Sequence, residues 1–370
     1  MNILRYIVIA FSLWYLPGFI FEIVGSSAGS NSRYLMFLFI LAYFFLAPKV
    51  KPRFALLLLG ITYFMIAGLE YSGKFDLYAF KFVKYIIFIV GLSELVTRCK
   101  VIHVFYFLLI GAGSIIINAA LFPDNYGRYS GFYFNPNLAA LLAAIGFCIS
   151  FKISNRLLRA IGFIAFILAG FLTFSRYFIL MWILLTLISV IMDRKNAEAL
   201  GIGLGTGILV LAIASLLQLN TQRLTAVEKI LGNQVSQGTS TLKEGSREET
   251  WALFYDDVMD NIYFGNGYMA MSGGVNRDKV GAHNSLLLVV GEAGIIPFFI
   301  MLFIFGRMLY LGLKKIKEEL FIGLLCLVLC SYIFVSHNFF DNYLFLFIIL
   351  WFLYYLEKPT EEGMPEVESN

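Results

Sequence analysis

Charged residues are scarce in this chain. Asp, Glu, Lys and Arg together make up 14% of its 370 residues, whereas hydrophobic residues make up 60%. Soluble globular domains carry about 25% charged residues, so the composition excludes that class. Nothing points to nucleic-acid binding either, because the net charge of +4 is not gathered in a basic domain and no reader motif occurs.

Cysteine and histidine are also rare. The four cysteines lie in or beside apolar segments, so the polar loops offer no disulfide framework. The chain has only three histidines, and we expect neither a metal nor a cofactor.

Long apolar runs are what the chain has in abundance. Segments of about 17 to 22 residues recur, and each is long enough to cross about 30 Å of hydrocarbon. Backbone polar groups cannot stay unpaired in lipid, so these segments are predicted to be helices. We therefore predict an all-α polytopic membrane protein with about 12 transmembrane helices and one large extracytoplasmic loop. The predicted spans lie near 4–24, 34–48, 54–71, 80–97, 101–122, 138–152, 159–175, 177–192, 198–218, 295–313, 319–336 and 342–356.

Positive charges predict the orientation of these spans. Counted alternately, the connections on one side collect most of the Lys and Arg residues, for example Arg53, Arg98, Arg156 and Lys314. The positive-inside rule then places both termini in the cytoplasm. The first apolar segment has no clear small-residue cleavage site, so we expect it to be retained.

One connection is far longer than the others. We divide the chain into transmembrane helices 1–9 (1–217), an extracytoplasmic loop (218–294), transmembrane helices 10–12 (295–356) and a cytoplasmic tail (357–370). Loops of this size inside a compact protein are usually functional. The polar stretch 123–137 is predicted to lie on the same side.

Three arginines on that side are candidate anion ligands. Arg176 interrupts apolar sequence, whereas Arg128 and Arg247 lie in polar loops. Considered alone, Arg176 is explained as a snorkelling side chain at a helix end, and Arg128 and Arg247 as solvated surface charges. Together they suit a phosphate- or diphosphate-bearing lipid, because the planar guanidinium binds phosphate oxygens bidentately.

His283 stands before an apolar run in "GAHNSLLLVVGEAG". A neutral imidazole near pH 7 can accept a proton from an attacking hydroxyl, and Asn284 can orient it. His337 is predicted to reach the same face and, with Asn284, to line the substrate-binding site. For each histidine a structural role is the simpler alternative. Glu292, nine residues beyond His283, points away from it at helical spacing, so the two are not paired directly.

Two further motifs have simpler readings. "GIGLGTG" at 201–207 resembles a nucleotide loop, but no strand precedes it, and its glycine spacing favours close helix packing. Asp256, Asp257 and Asp260 in "DDVMD" could hold magnesium against a diphosphate. A solvated acidic face is the commoner explanation of such a cluster.

Four stretches occur in one characteristic order. The first is "GRYSGFYFNPNLAA", with Asn135 and Asn137 around a proline, and the second is "TFSRYFIL", which contains Arg176. The last two are "GSREETWALFYDDVMDNIYFGNGY", with Arg247, Trp251, Gly265 and Gly267, and "HNSLLLVVGEAG", with His283, Asn284 and Gly294. In these motifs the chain resembles the O-antigen ligase / Wzy-type O-antigen (capsule) polymerase superfamily of bacterial membrane glycosyltransferases. Pro297 departs from the last position of the histidine motif.

The resemblance implies a GT-C-like inverting glycosyltransferase of the bacterial inner (plasma) membrane that needs neither nucleotide nor metal. The donor would be a glycan on undecaprenyl diphosphate, and the acceptor a second glycan or lipid A–core. Arg176 and Arg247 would hold the diphosphate, and His283 would activate the acceptor hydroxyl. Arg128 with Asn135 and Asn137 would shape the cavity. A flippase and a chain-length regulator would be partners, beside membrane lipids.

Several functions stay open at this point. The Asn-Pro-Asn element and the compact length favour a polymerase over a ligase. A protein O-glycosyltransferase is disfavoured, because no additional extracytoplasmic domain follows the last predicted span. A transporter or flippase for an anionic lipid-linked sugar is the alternative from a different class.

Overall fold

The computed structural model describes residues 1–71, 73–122, 128–216, 247–272 and 281–357. These residues form α-helices and three short 3₁₀ helices (Gly131–Tyr133, Arg194–Asn196 and Phe339–Asp341), and no strand occurs among them. The α-helices are α1 Asn2–Leu13, α2 Leu16–Val24, α3 Ser26–Leu46, α4 Phe54–Ala67, α5 Phe75–Thr97, α6 Val101–Leu121, α7 Pro136–Ser150, α8 Arg156–Leu172, α9 Arg176–Met192, α10 Ala197–Leu216, α11 Arg247–Ala252, α12 Tyr255–Asp260, α13 Ser285–Ala293, α14 Ile295–Lys315, α15 Leu320–Tyr332 and α16 Tyr343–Leu356.

Each predicted apolar segment coincides with a helix, but the first is broken. In place of one span over 4–24, α1 and α2 meet at an angle of 64°. Tyr15 has a left-handed φ of 53° at the break. Pro17 follows in the first turn of α2, where its missing N–H has no intrahelical partner to lose.

Several helices could span a membrane. Among the described residues, three (α3, α6 and α14) are long and apolar enough, or four if the bent pair α1–α2 counts as one span. Shorter apolar helices, α4, α7, α9, α15 and α16, accompany them. The number of spans predicted from the sequence, about 12, stays a prediction.

Two helices form the centre of the bundle. Almost every residue of α7 and α16 is buried, as expected for helices that are apolar all round. α7 packs against α6, α8, α9 and α15, and α16 packs against α5 and α1. Outer helices instead expose apolar side chains such as Leu38, Ile110 and Leu180. Such surfaces fit a hydrocarbon surrounding better than water.

The two ends of the bundle differ in character. One end carries ion pairs: Glu357 pairs with Arg53 and, at 2.6 Å, with Arg307. Lys152 and Glu319 form another pair there at 3.0 Å. The opposite end is built from helix starts and irregular segments. We call it the His283 end; it contains the starts of α7 and α9, the end of α15 and residues 281–284.

The junction between α13 and α14 depends on Gly294. Its φ of 75° and ψ of −164° lie in a region that only glycine occupies readily. A Cβ atom there would overlap the carbonyl oxygen of Tyr263. Pro297 falls in the first turn of α14, where a proline is tolerated. Pro297, which departs from the motif of the superfamily that the sequence resembles, is therefore compatible with this junction.

We predict that Gly294→Ala destabilises the protein by about 2 kcal/mol or more, from backbone strain and overlap together. The matched control is Gly306→Ala in the interior of α14, where a Cβ atom meets nothing within 4 Å. That change should be neutral or slightly stabilising, because alanine favours helix. Thermal unfolding in detergent measures both, and equal midpoints would refute the role of Gly294.

Candidate functional site

His283 lies in a short irregular segment before α13. Its φ of 49° is left-handed, an uncommon conformation for a residue that is not glycine. The preceding residue is tethered, because the Ala282 N–H donates to the Met271 carbonyl oxygen at 3.0 Å. Strain of this kind persists only where the surroundings hold the backbone, and it is frequent at functional sites.

The residues after His283 hold the segment from the other side. Asn284 caps α13, since its Oδ1 accepts from the N–H groups of Leu286 at 2.9 Å and Leu287 at 3.1 Å. Asn284, predicted to bind substrate, thus has a capping role. The Ser285 N–H donates to the Ile333 carbonyl oxygen at 2.7 Å, and the Ser285 hydroxyl donates to the Ser336 carbonyl oxygen at 2.6 Å.

His337 and His283 form a pair. Their Nδ1 atoms are 3.2 Å apart, and the rings meet edge to face with centroids separated by 4.7 Å. Burial, and secondarily the neighbouring His283, lowers the pKa of His337 to about 4. His337 is therefore neutral at pH 7, and one Nδ1 donates while the other accepts. The structure brings these two predicted residues together.

Glu292 is fully buried at the end of α13. Its carboxylate accepts hydrogen bonds from the Tyr63 hydroxyl of α4, from the Met271 N–H at 3.0 Å and from the Ser272 hydroxyl at 3.0 Å. Burial raises the pKa of Glu292 to about 7, although these hydrogen bonds act in the opposite direction. Glu292 therefore lies close to His283 in the structure, because Met271, which donates to Glu292, also accepts the hydrogen bond from Ala282.

The turn Gly265–Gly267 docks onto the same end of α13. The Asn266 N–H donates to the Gly291 carbonyl oxygen at 2.7 Å, and the Gly267 N–H donates to the Glu292 carbonyl oxygen at 3.1 Å. A Cβ atom on Gly265 would overlap the Glu292 backbone. The Gly-x-Gly motif therefore permits a close approach of two backbones.

Arg128 and Arg176 both lie beside the turn between α8 and α9. The Arg128 Nε–H donates to the Thr173 carbonyl oxygen at 3.2 Å, and Phe174 takes a left-handed φ of 47°. Arg176 is the first residue of α9 and is exposed. The tight turn thus brings two predicted anion ligands to one place.

The Asn-Pro-Asn element reaches the same turn. Asn135 caps α7, accepting from the N–H groups of Asn137 at 2.9 Å and Leu138 at 3.2 Å. The Asn137 Oδ1 accepts from the Ser175 hydroxyl at 3.2 Å. These contacts give Asn135 a capping role and put Asn137 next to the residue that precedes Arg176.

The last turn of α15 joins the arginines to the histidine pair. The Tyr177 hydroxyl, one residue after Arg176, hydrogen-bonds with the Ser331 hydroxyl in that turn at 3.2 Å. Ile333, directly after α15, accepts from Ser285. Arg176 and His283 are thus each one or two residues from a contact with the same helix end.

Two further predicted features lie on the short helices α11 and α12. Arg247 begins α11, but its side chain lies outside the described part of the chain. Asp256 and Asp260 are exposed on α12, and Asp257 is half-buried. No group of three or more His, Cys, Asp or Glu side chains suited to a metal occurs in the described residues.

Sequence reasoning missed the partners of Glu292. A lone glutamate inside an apolar run was the available signal, since buried carboxylates require partners. Those partners come from α4 and from the loop before α13, far away along the chain.

The comparisons with known proteins add no identity: the chain matches no family model, no curated protein and no solved structure.

We predict that Glu292→Gln removes a pH dependence of stability. Because the pKa of Glu292 rises from 4.5 to about 7 on folding, the folded state binds this proton more tightly, and stability falls as pH rises through that window. Between pH 4.5 and 7.5 the free energy of unfolding of the wild type should therefore fall by about 2 to 3 kcal/mol relative to that of the glutamine variant.

Thermal unfolding in detergent at a series of pH values measures this difference. Glu198→Gln, at an exposed position of α10, is the control and should follow the wild type. Parallel curves for Glu292→Gln and the wild type would contradict the assignment.

Proposed function

We propose that this protein is an inverting membrane glycosyltransferase. It transfers an oligosaccharide from undecaprenyl diphosphate to a sugar hydroxyl, polymerising O-antigen or capsule repeat units. The observation that carries the proposal is the pairing of His283 with a neutral His337 at the bundle end that also holds Arg128 and Arg176.

The histidine pair suits proton transfer. When the His283 Nδ1–H donates to His337, the lone pair of His283 lies on Nε2. In the proposed step the acceptor oxygen attacks the anomeric carbon of the donor, and its proton passes to His283. The bond from that carbon to the diphosphate oxygen breaks, and the electron pair leaves with the diphosphate. Attack opposite to departure inverts the configuration.

The arginines suit the leaving group. A diphosphate on a lipid gains negative charge as the bond breaks, and guanidinium groups placed beforehand stabilise that charge. We assign this role to Arg176 and Arg247, with Arg128, Asn135 and Asn137 shaping the cavity. In this scheme the cations replace a divalent metal ion.

The proposal includes a topology. With about 12 spans and both termini in the cytoplasm, the His283 end faces the periplasm or the outside. The ion-paired end, where Arg53 and Arg307 meet Glu357, then faces the cytoplasm. This orientation gives lipid-linked glycans access to the histidine pair.

Two alternatives remain distinct. A ligase uses the same groups with a lipid A–core acceptor. A transporter is supported less well, because its binding groups are expected near the midplane between matching broken helices. Here α1–α2 is the one bent pair among the described helices that is long and apolar enough to be a broken span, and the candidate groups gather at one end.

We predict that His283→Ala and Arg176→Ala each lower the transfer rate by about a hundredfold or more, from loss of the base and of leaving-group stabilisation. The assay is purified protein with undecaprenyl-diphosphate-linked repeat unit as sole substrate and products resolved on a gel. The matched controls are His103→Ala, at the histidine in the first turn of α6, and Arg156→Ala. Arg156 is an exposed arginine that begins α8 as Arg176 begins α9.

A ladder that disappears in the two site variants and persists in the controls supports the polymerase. Products formed only after lipid A–core is added would make the protein a ligase. Movement of the lipid-linked sugar across liposomes, without any transfer, would refute the enzyme.

A further inference from the structure

A polar pocket lies at the His283 end. Its volume is about 230 Å³, and it opens between the α1–α2 break, α3, α5 and the 3₁₀ helix Phe339–Asp341. Among the residues that line it are Tyr15, Arg33, Lys81, Asn338, Asp341 and Tyr343. None of these is a residue to which the proposed transfer assigns a role.

Cations outnumber acids around this pocket. Lys81 and Asp341 pair at 2.6 Å, so the one acid in the lining is already engaged. The Arg33 Nε is buried without a hydrogen-bond partner in the described part of the chain. Lys84 lies within electrostatic reach of Arg33, Lys81 and Asp341. Glu22, exposed on α2, is the other acid nearby, because its charge reaches Tyr15.

This excess of positive charge favours the binding of an anion. A guanidinium with a buried and unsatisfied N–H group is costly unless a partner arrives. Phosphate oxygens are the partners that an arginine fork and lysine ammonium groups bind best. The volume of about 230 Å³ has room for a phosphate or diphosphate group.

The surroundings indicate that the anion belongs to a lipid. The cations of α3 and α5 are bordered by exposed apolar side chains, among them Leu38 and Phe80. The Lys84 Nζ lies 5.3 Å from the Tyr34 ring centroid and 5.1 Å from that of Phe80. α3 is also one of the helices able to cross a membrane. Aromatic rings and cations bordering an apolar face are typical of the headgroup level.

We propose that this pocket binds the phosphate or diphosphate group of a lipid lying in the membrane beside α3 and α5. The site is distinct from Arg176 and Arg247, to which the proposed transfer assigns the donor diphosphate. Binding here does not require that transfer to occur.

The test is binding of farnesyl diphosphate to the full chain in neutral detergent, measured by microscale thermophoresis. The background carries Arg176→Ala and Arg247→Ala, so that the proposed donor site contributes nothing and a failed transfer assay leaves the result intact. We expect saturable binding that weakens about tenfold or more when Arg33→Gln and Lys84→Gln are added, because charge-assisted hydrogen bonds are lost.

Lys74→Gln is the matched control, since Lys74 is an exposed lysine at the start of the same helix; it should leave the affinity unchanged. Arg33→Gln alone serves if the double variant does not fold, because Arg33 lines the pocket and its change leaves the Lys81–Asp341 pair intact. Equal affinity with and without these changes would overturn the proposal, and so would farnesol binding as tightly as farnesyl diphosphate. Inorganic diphosphate should compete weakly; if it binds as tightly as the prenyl compound, the ligand is a free phosphate ion and the lipid assignment fails.

Discussion

The buried carboxyl group of Glu292 is the contact on which the rest of the His283 end depends. It joins α13 to α4 through Tyr63 and to the preceding loop through Met271 and Ser272. The Met271 carbonyl oxygen in turn holds Ala282. The strained backbone of His283 therefore rests on a carboxyl group that is costly to bury. Removing one partner of such a network leaves the others unsatisfied, which is why it constrains the geometry so strongly.

A short helix end connects the two halves of the candidate site. Arg176 is placed by the tight α8–α9 turn, and His283 by the segment before α13, but both elements bond to the last turn of α15 or to the residue that follows it. Movement of α15 would shift both groups together. Because rigid elements position reacting groups more precisely than free loops do, this arrangement suits a step in which base and leaving-group ligands act at once.

The sequence predicted the helices well, because a length sufficient to cross a membrane and the need to pair the backbone leave little choice. It did not predict the break at Tyr15, although Pro17 signalled it. The predicted topology placed His337 on the same membrane face as His283. The 3.2 Å contact between their Nδ1 atoms depends on the irregular residues after α15, which the sequence pattern did not predict. The partners of Glu292 and the cluster around Arg33 come from distant segments, and no local pattern in the chain encodes such contacts.

For the polymerase that we propose, two separate cationic regions have a chemical reason. Donor and acceptor each carry a lipid-linked diphosphate, but only the donor loses its own. The donor diphosphate gains charge as its bond breaks, so its ligands must bind the transition state more strongly than the ground state. The acceptor diphosphate needs to be held without change. Arg33 and two lysines, one of them already paired with Asp341, suit the binding of the acceptor diphosphate. Arg176, exposed at the start of α9, suits the stabilisation of the donor diphosphate.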